Sequence, residues 1–437
     1  IVVQIGTQSR SEPGVRGSKR FLESGLLGKI SRCEECRNGK QPNWYKRLTR
    51  LPIKESELDW AEFLKPRPMR PFNGLLFAGW YGYREFCSGS IGQFMSHFID
   101  MVHFVTGAGF PTSAVAQGPS VVERTLSTQK ISGAIGFGMS QMTLTCLPVL
   151  EKAQVPLTTS SISDKITSQG YKYVFQIAPK GSHFGASQVK FLTYLKNKYK
   201  IPITKVGFVY ENTAYGTSTA GGLKETAEKE GYKIGLYEAY DAKFTDASPL
   251  VNKIKASGVE AIFPVSYTTD AELIISTMQA MRVNPMLIGG GAGFIWPDIY
   301  KSLGDKINGV FSVGSWSWDS KNILSDAYRK SVVDRYRKRF GTFMPEQAGE
   351  HYAMVWTLKE ALEKAKSADS KKVREALATM EITSGPAALM QPGKIKFDET
   401  GWNKYVYPTM IQWQKGDPRT VYPEEAATNE VIWPIKK

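Results

Sequence analysis

Two sets of residues in this chain have the types and spacing to do chemistry. In the first, apolar runs at 131–137 and 155–159 each stop in a loop of small hydroxyl residues that opens a helical pattern. Ser140 sits in the first loop, and Ser160 and Ser161 sit in the second. Strand, polar turn, helix, twice over, is the grammar of a parallel α/β sheet. The helix N-terminus at such a turn offers unpaired N–H groups and a partial positive charge, so the chemistry it suits is the capture of an anion. Tyr215 in TAYG and Tyr267 in VSYTTD occupy comparable loops further on. In the second set, Gln93, His97 and Asp100 follow one another at helical spacing. Residues one turn apart face one side of a helix, and a histidine there suits proton transfer. Each residue also has a plain structural explanation: a serine at a strand-to-helix turn is an ordinary N-cap, a loop tyrosine packs, and a helical histidine can be buried and hydrogen-bonded.

The elements that must position the first set alternate along the chain. FGASQVKFLTYLKNKY reads as an amphipathic helix, KVGFVYE as a buried strand, and NTAYGTSTAGGLKETAEKEG as a loop opening a helix with a glycine stop. YKIGLYEAYD, EAIFPVSY and MLIGGG repeat the strand signal, separated by the helices VNKIKASG and DAELIISTMQAM. That alternation argues for right-handed βαβ units and a parallel sheet, whose ligand crevice opens at the carboxyl ends of the strands. GVFSVGSWSWD then returns to a strand, long helices cover 324–366 and 371–380, and GKIKFDETGWNKYVYPTMIQWQ reads as short antiparallel strands. Trp316 and Trp318 either line the crevice or share one face of a strand. Upstream, IVVQIGTQSR is a strand and VRGSKRFLESGLLG a helix, followed by a polar, Pro-rich passage to Arg70.

At 437 residues the chain exceeds the ~250–300 at which single cores stop growing, so two or three domains are expected. Hydrophobic residues at 42% and charged residues at 22% are ordinary globular usage. No apolar run approaches the ~20 residues of a membrane span. The net charge of +15 is spread out, with 16 Lys/Arg against 10 Asp/Glu in residues 1–118 and 40 against 31 in the rest. Nucleic acid binding would need a clustered basic stripe; runs such as YRKSVVDRYRKRF lie instead on amphipathic helices with a solvated face. Cys33, Cys36, Cys87 and Cys146 are too few for a disulfide scaffold, and CEEC has no second pair to complete a zinc site. No metal or cofactor is expected, since GxSxG, HExxH, P-loop and GxGxxG motifs are all missing from the sequence. The opening IVVQIGT, without Met or a basic stretch, suggests that upstream sequence is missing.

Residues 119–437, and above all KISGAIGFGMSQ with VPLTTSSISDKI, resemble the branched-chain amino acid (type I) periplasmic solute-binding proteins of ABC importers. The resemblance implies an α/β, two-lobed type I fold of parallel sheets, interleaved through a hinge near 177–185 and 305–315. It also implies binding without catalysis in a cleft between the lobes, an extracytoplasmic location, and the membrane subunits of an importer as partners. On that pattern Ser140, Ser160 and Ser161 hold the ligand carboxylate, while Tyr215 and Tyr267 close over the ligand's side chain from the second lobe. Amino-acid binders of this kind carry an acid in the loop that here reads GGGAGF, with Asp270 lying nearby in sequence. The expected solute is therefore a small carboxylate or amide, an amino acid or analogue, for which an amine is optional.

Residues 1–118 resemble a fragment of the Gfo/Idh/MocA oxidoreductases, on DWAEFLKPRPMRPFN, GWYGYREF and SGSIGQFMSHFIDMVHFVTGAGFPTSAVAQG. That family places an Asp four residues before its active-site His; here the His is His97, the position four before it is Gln93, and Asp100 lies one turn on. The glycine turn and the lysine that follows it in the family are also missing, so these positions read as vestigial. The join falls after Gly118, where PSVVERTLSTQK reads as a helix preceding the next strand. The first lobe then lacks its opening strand, helix and strand, which leaves 131–137 at a bare edge, loosens 119–160 and weakens the grip on a ligand. Two rival readings remain: an NAD(P)-dependent oxidoreductase built on residues 1–118, which a dinucleotide turn would mark, and a cytoplasmic ligand sensor on the same binding fold, which a partner domain would mark.

Overall fold

The computed structural model describes residues 12–26, 53–80, 86, 96–107, 126, 130–241, 244–321 and 326–434. The chain divides into two compact units, Ile1–Val115 and Ala116–Lys437.

In the first unit the described residues form helices at Pro13–Glu23, Trp60–Leu64, Gly74–Ala78 and Ser96–Thr106. Asp59 and Asn73 start the middle two, each accepting a 3.0 Å bond from a backbone N–H of the first turn. Trp60, Leu64 and Leu76 are buried there with Phe63, Phe72, Phe77 and Phe86 around them. The expected opening strand and Gln93 lie outside the described residues, as do Cys33, Cys36 and Cys87. His97 and Asp100 fall on the helix Ser96–Thr106.

The second unit has two lobes. The first contains a parallel sheet of β1 (Ala134–Ile135), β2 (Leu157–Thr159) and β3 (Val174–Gln176), in that spatial order. The strand expected over 131–137 is only two residues long. Among the described residues β1 has one neighbour, bonded through Ala134 N–H to Pro156 O at 2.8 Å and Gly136 N–H to Thr158 O at 3.1 Å. A strand paired on one side gains half the ladder, and Ile135 remains 36% exposed. The helix Ser140–Ala153 packs Cys146, Leu147 and Leu150 against Leu157, Ile166 and Val174. The helix expected before β1 lies outside the described residues except Leu126, which is helical.

The second lobe is built on a seven-stranded sheet, ordered β12-β11-β8-β7-β6-β4-β5. Here β4 (Lys205–Glu211), β5 (Lys233–Tyr240), β6 (Ala261–Val265), β7 (Met286–Gly289) and β8 (Phe311–Gly314) run parallel. The chain then returns to the first lobe, adding helices Glu346–Ala365 and Ser370–Thr379 and the pair β9 (Glu381–Ile382) and β10 (Ile395–Lys396). Finally β11 (Thr409–Gln414) joins the second sheet antiparallel to β8, with β12 (Asp417–Tyr422) at its other edge. Parallel strands covered on both faces read as continuous apolar runs, which is why KVGFVYE and AIFPV are legible; Phe191, Phe208, Phe263 and Phe311 fill the core beside them.

Membership of the sheets makes the chain cross between lobes three times: between β3 and the helix Gly181–Tyr199, after β8, and before β11. Two local expectations are corrected. The helix over 324–366 is interrupted, because Gly341 at φ 70° ends one segment at Phe340 and Pro345 precedes the next at Glu346. Strand β8 stops at Gly314, so Trp316 and Trp318 do not share a strand face.

The second lobe depends on a close helix crossing. A Cβ on Gly185 would lie 2.3 Å from both Thr219 O and Leu223 N on the helix Ala214–Lys229, so glycine is required for the approach. Gly185→Ala should lower stability by ~1–3 kcal/mol. Urea unfolding would show it as an earlier midpoint with an unchanged slope; a midpoint equal to the parent's would refute the reading.

Candidate functional site

The loops at the carboxyl ends of the two sheets of the second unit carry the residues singled out in the sequence. From the first lobe come the loops after β1 and β2. Ser161 Oγ donates to Phe137 O at 2.5 Å and lies 2.7 Å from Thr143 Oγ1, while Thr159 Oγ1 donates to Phe137 O at 3.2 Å. The Ser161 hydroxyl is thus consumed in stitching the two loops together. Ser140 Oγ accepts the Ser163 N–H at 3.1 Å and keeps its own proton to donate. Ser160 differs: it is buried, and its Oγ has no hydrogen-bond partner.

From the second lobe come the loops after β4, β6 and β7. Tyr215 is buried, donates its hydroxyl to Gly290 O at 2.5 Å, and packs against the Tyr267 ring at 5.1 Å. Burial, then the neighbouring Tyr267, holds the Tyr215 hydroxyl protonated well above its usual range. Tyr267 immediately precedes the helix Thr268–Ala280. The helices beginning at Ser140 and Thr268 start without a side-chain cap, and their positive ends favour an anion near the loops. At the starts of the helices Gly181–Tyr199 and Ala214–Lys229 a carboxylate is already in place: Asp164 Oδ1 accepts the Ser182 N–H at 3.2 Å and Glu211 Oε1 the Gly216 N–H at 2.6 Å.

The lobes also touch directly. Ser163 Oγ lies 3.0 Å from Ser218 Oγ, and the Asp164 N–H donates to the same Ser218 oxygen at 3.3 Å.

Sequence reasoning missed a pair of buried acids. Glu346 and Glu350 stand one turn apart on the helix Glu346–Ala365, and both are buried. Where the chain leaves β8, the Ser315 N–H and hydroxyl both donate to Glu346 Oε1, the hydroxyl at 2.8 Å, and Ser315 Oγ also contacts Glu350 Oε1. A hydroxyl has one proton to give, so one of these two contacts must be donated by a protonated carboxyl. Burial is the main cause that pushes Glu346 up to about 7. Burial, then the Glu346 carboxylate, pushes Glu350 well above the ordinary range, with Ser315 and Ser160 as the smaller opposing influences. Ser160 is thus near enough to Glu350 to act on it without completing a hydrogen bond. Only the i, i+4 spacing and the small residues of EQAGEHYA could have betrayed the pair; acids at that spacing read as a solvated face.

A groove of about 720 Å³ opens elsewhere, at the amino ends of β4, β6, β7 and β8, lined by Ile203, Met278, Leu287, Val310 and Trp433 among others. It is apolar and lies at the opposite end of the sheet from the loops above. Among the described residues no group of three or more His, Cys, Asp or Glu is placed to hold a metal ion.

The profile of the periplasmic binding protein family matches residues 112–411. The chain belongs to that family. It is a solute-binding protein and not an enzyme. Its curated relatives include Leu/Ile/Val-binding protein homolog 7 of Brucella suis, 26% identical over 318 residues that cover 71% of this chain and 79% of the relative. Homolog 8 of Brucella melitensis is 25% identical over 319 residues, covering 71% and 78%. Among solved structures the binding protein shares its fold with the leucine-binding protein LivK of Thermotoga maritima, at TM-score 0.61 and 18% identity, covering 70% of this chain and 83% of that one. The branched-chain amino acid transporter substrate-binding protein LivJ of Streptococcus pneumoniae, solved with isoleucine, gives TM-score 0.59 and 22% identity, covering 70% and 83%. The matched range begins at residue 112, ahead of the join expected after Gly118, and none of these matches supports the expected likeness of residues 1–118 to oxidoreductases.

The raised carboxyl pair has a thermodynamic consequence. Unfolded, Glu346 titrates near 4.5; folded, it holds its proton up to about 7. Below the lower value both states are protonated and the pair costs nothing. As pH rises between the two values the unfolded chain releases a proton that the folded one retains, so the stability falls. The denaturation midpoint of the parent protein should decline from about pH 5 to pH 8 more steeply than that of Glu350→Gln. Parallel profiles for the two proteins would contradict this account.

Proposed function

We propose that the protein captures a small solute bearing a carboxylate or amide, an amino acid with an aliphatic side chain foremost, in the cleft between its lobes. The lobes close on it by hinge motion, and the protein delivers it to the membrane subunits of an ABC importer in the extracytoplasmic space. The observation that carries this reading is the Ser160 hydroxyl, buried at the carboxyl end of β2 with no partner, beside the uncapped start of the helix Ser140–Ala153. A buried hydroxyl without a partner is unfavourable unless something else supplies one. A solute carboxylate or amide supplies it there, with Ser140 and its remaining proton as the second donor. Tyr215 and Tyr267 contribute ring surface to the opposite wall. The names of the Brucella relatives, and the isoleucine bound to the Streptococcus pneumoniae protein, support an aliphatic amino acid.

Titration calorimetry with L-leucine, L-isoleucine and L-valine should give saturable binding, weakened about tenfold by Ser160→Ala. Ser161→Ala should instead lower thermal stability, since its hydroxyl cross-links the two loops. Unchanged affinity in Ser160→Ala would remove the carrying observation.

For residues 1–118 we infer no nicotinamide-dependent activity, because this chain contains no GxGxxG turn and has Gln93 where the resembled family has its acid. Saturable quenching or enhancement of NADH fluorescence by the protein would overturn that statement.

A further inference from the structure

The apolar groove at the amino ends of β4, β6, β7 and β8 takes no part in the reading of the hydroxyl loops, which stand at the other end of the sheet. Its volume of about 720 Å³ lies within the ~300–1,000 Å³ typical of small-molecule sites. Separate stretches of the second lobe supply its lining: Ile203 ahead of β4, Met278 on the helix Thr268–Ala280, Leu287 in β7, Val310 ahead of β8, and Trp433. Leu287, Val310 and Trp433 are only half-buried, while the polar Gln279, Asn284 and Lys306 of the lining are exposed. Concave apolar surface with a polar rim is the pattern of a ligand groove.

Backbone donors along the groove are already spent. Met286 N–H donates to Glu260 O at 2.9 Å, Gly309 N–H to Trp413 O at 2.7 Å, and Val310 N–H to Ile307 O at 3.0 Å. That argues against a peptide adding itself as a strand and in favour of an occupant held by its apolar body. The charged side chains then decide its head. Glu260 Oε2 accepts the N–H groups of Thr204 at 2.7 Å and Lys205 at 2.8 Å. Asp305 Oδ1 accepts the Tyr300 hydroxyl and Asn308 Nδ2, both at 3.0 Å. Both carboxylates are tied into their own turns. Lys306, the third charged group of the lining, has no ion pair and no side-chain hydrogen bond among the described residues. Its ammonium keeps three donors to offer.

We propose that this groove binds an amphiphilic monoanion, a carboxylate carried on an apolar chain or ring. The body lies along Met278, Leu287, Val310 and Trp433, and the carboxylate meets Lys306 at the rim. The site is independent of the interlobe cleft, so one chain holds two classes of small molecule at opposite ends of one sheet.

Calorimetry on the full chain tests it with three probes that share one alkyl chain and differ in the head: decanoate, decanol and decylamine, each kept below micelle formation. Decanoate should bind saturably and about fivefold more tightly than decanol, the scale of a partly exposed ion pair, and high salt should close the gap. Lys306→Ala should bring decanoate to the affinity of decanol and leave decanol unchanged. Val310→Phe, which fills the groove, should weaken both, with circular dichroism confirming its fold. Trp433→Phe keeps an apolar ring, so it should still bind decanoate in the calorimeter while losing the tryptophan fluorescence change that binding produces in the parent. Saturating L-leucine should alter none of these values. No saturable binding of any probe to the parent overturns the proposal. Decylamine binding more tightly than decanoate, or equal decanoate affinity in the parent and Lys306→Ala, overturns the anionic head. Displacement of decanoate by L-leucine puts the probe in the cleft, which overturns the groove site and leaves the cleft reading in place.

Discussion

Two carboxyl groups buried one helical turn apart, sharing a single serine, are the constraint around which this unit is arranged. Ser315 is the first residue beyond β8, and its N–H and hydroxyl both point at Glu346. That contact fixes where the strand leaving the second lobe meets the helix of the first. Removing the pair from water is costly, and nothing in the apolar packing around Met354 and Phe175 requires it. Keeping two acids there restrains the crossover. The flat seat of Trp316 on Gly349 makes the same junction tight on its other side.

Much of the second lobe was legible because its strands are covered on both faces. KVGFVYE and the run from Ala261 to Val265 announce themselves as uninterrupted apolar segments, and the glycine at Gly258 ends its helix as the pattern implies. The first lobe was harder. Its strands are two or three residues long, and runs that short carry little periodicity. The break at Gly341–Pro345 was written in the sequence, as a helix stop followed by a proline, but the flanking segments are both so strongly helical that they read as one.

The site divides in the same way. Residue type and placement identified the hydroxyl loops, since Ser140, Ser160 and Ser161 follow apolar runs. Which hydroxyl is spent and which is spare could not be read there, because Thr143 and Phe137 come to Ser161 from a different loop. Likewise Tyr215 was legible as a cleft residue, while the commitment of its hydroxyl to Gly290 depends on a loop 75 positions away. Glu346 and Glu350 were invisible for a further reason: acids on a helix signal solvent until something buried turns up beside them, and here that something is Ser315.

The order in which the chain visits its lobes also governs how it can be made. Strand β11 lies between β8 and β12, yet it is reached only at Thr409, almost a hundred residues after β8 ends at Gly314. During vectorial synthesis the β8 edge stays unsealed until nearly the whole polypeptide has emerged, and pairing of such distant segments is intrinsically slow. Residues completing the first lobe, from Glu346 to Lys396, must fold within that same interval. A nascent chain of this topology therefore remains unlocked until β11 and β12 arrive, and the second sheet closes only once the first lobe's returning helices have been made.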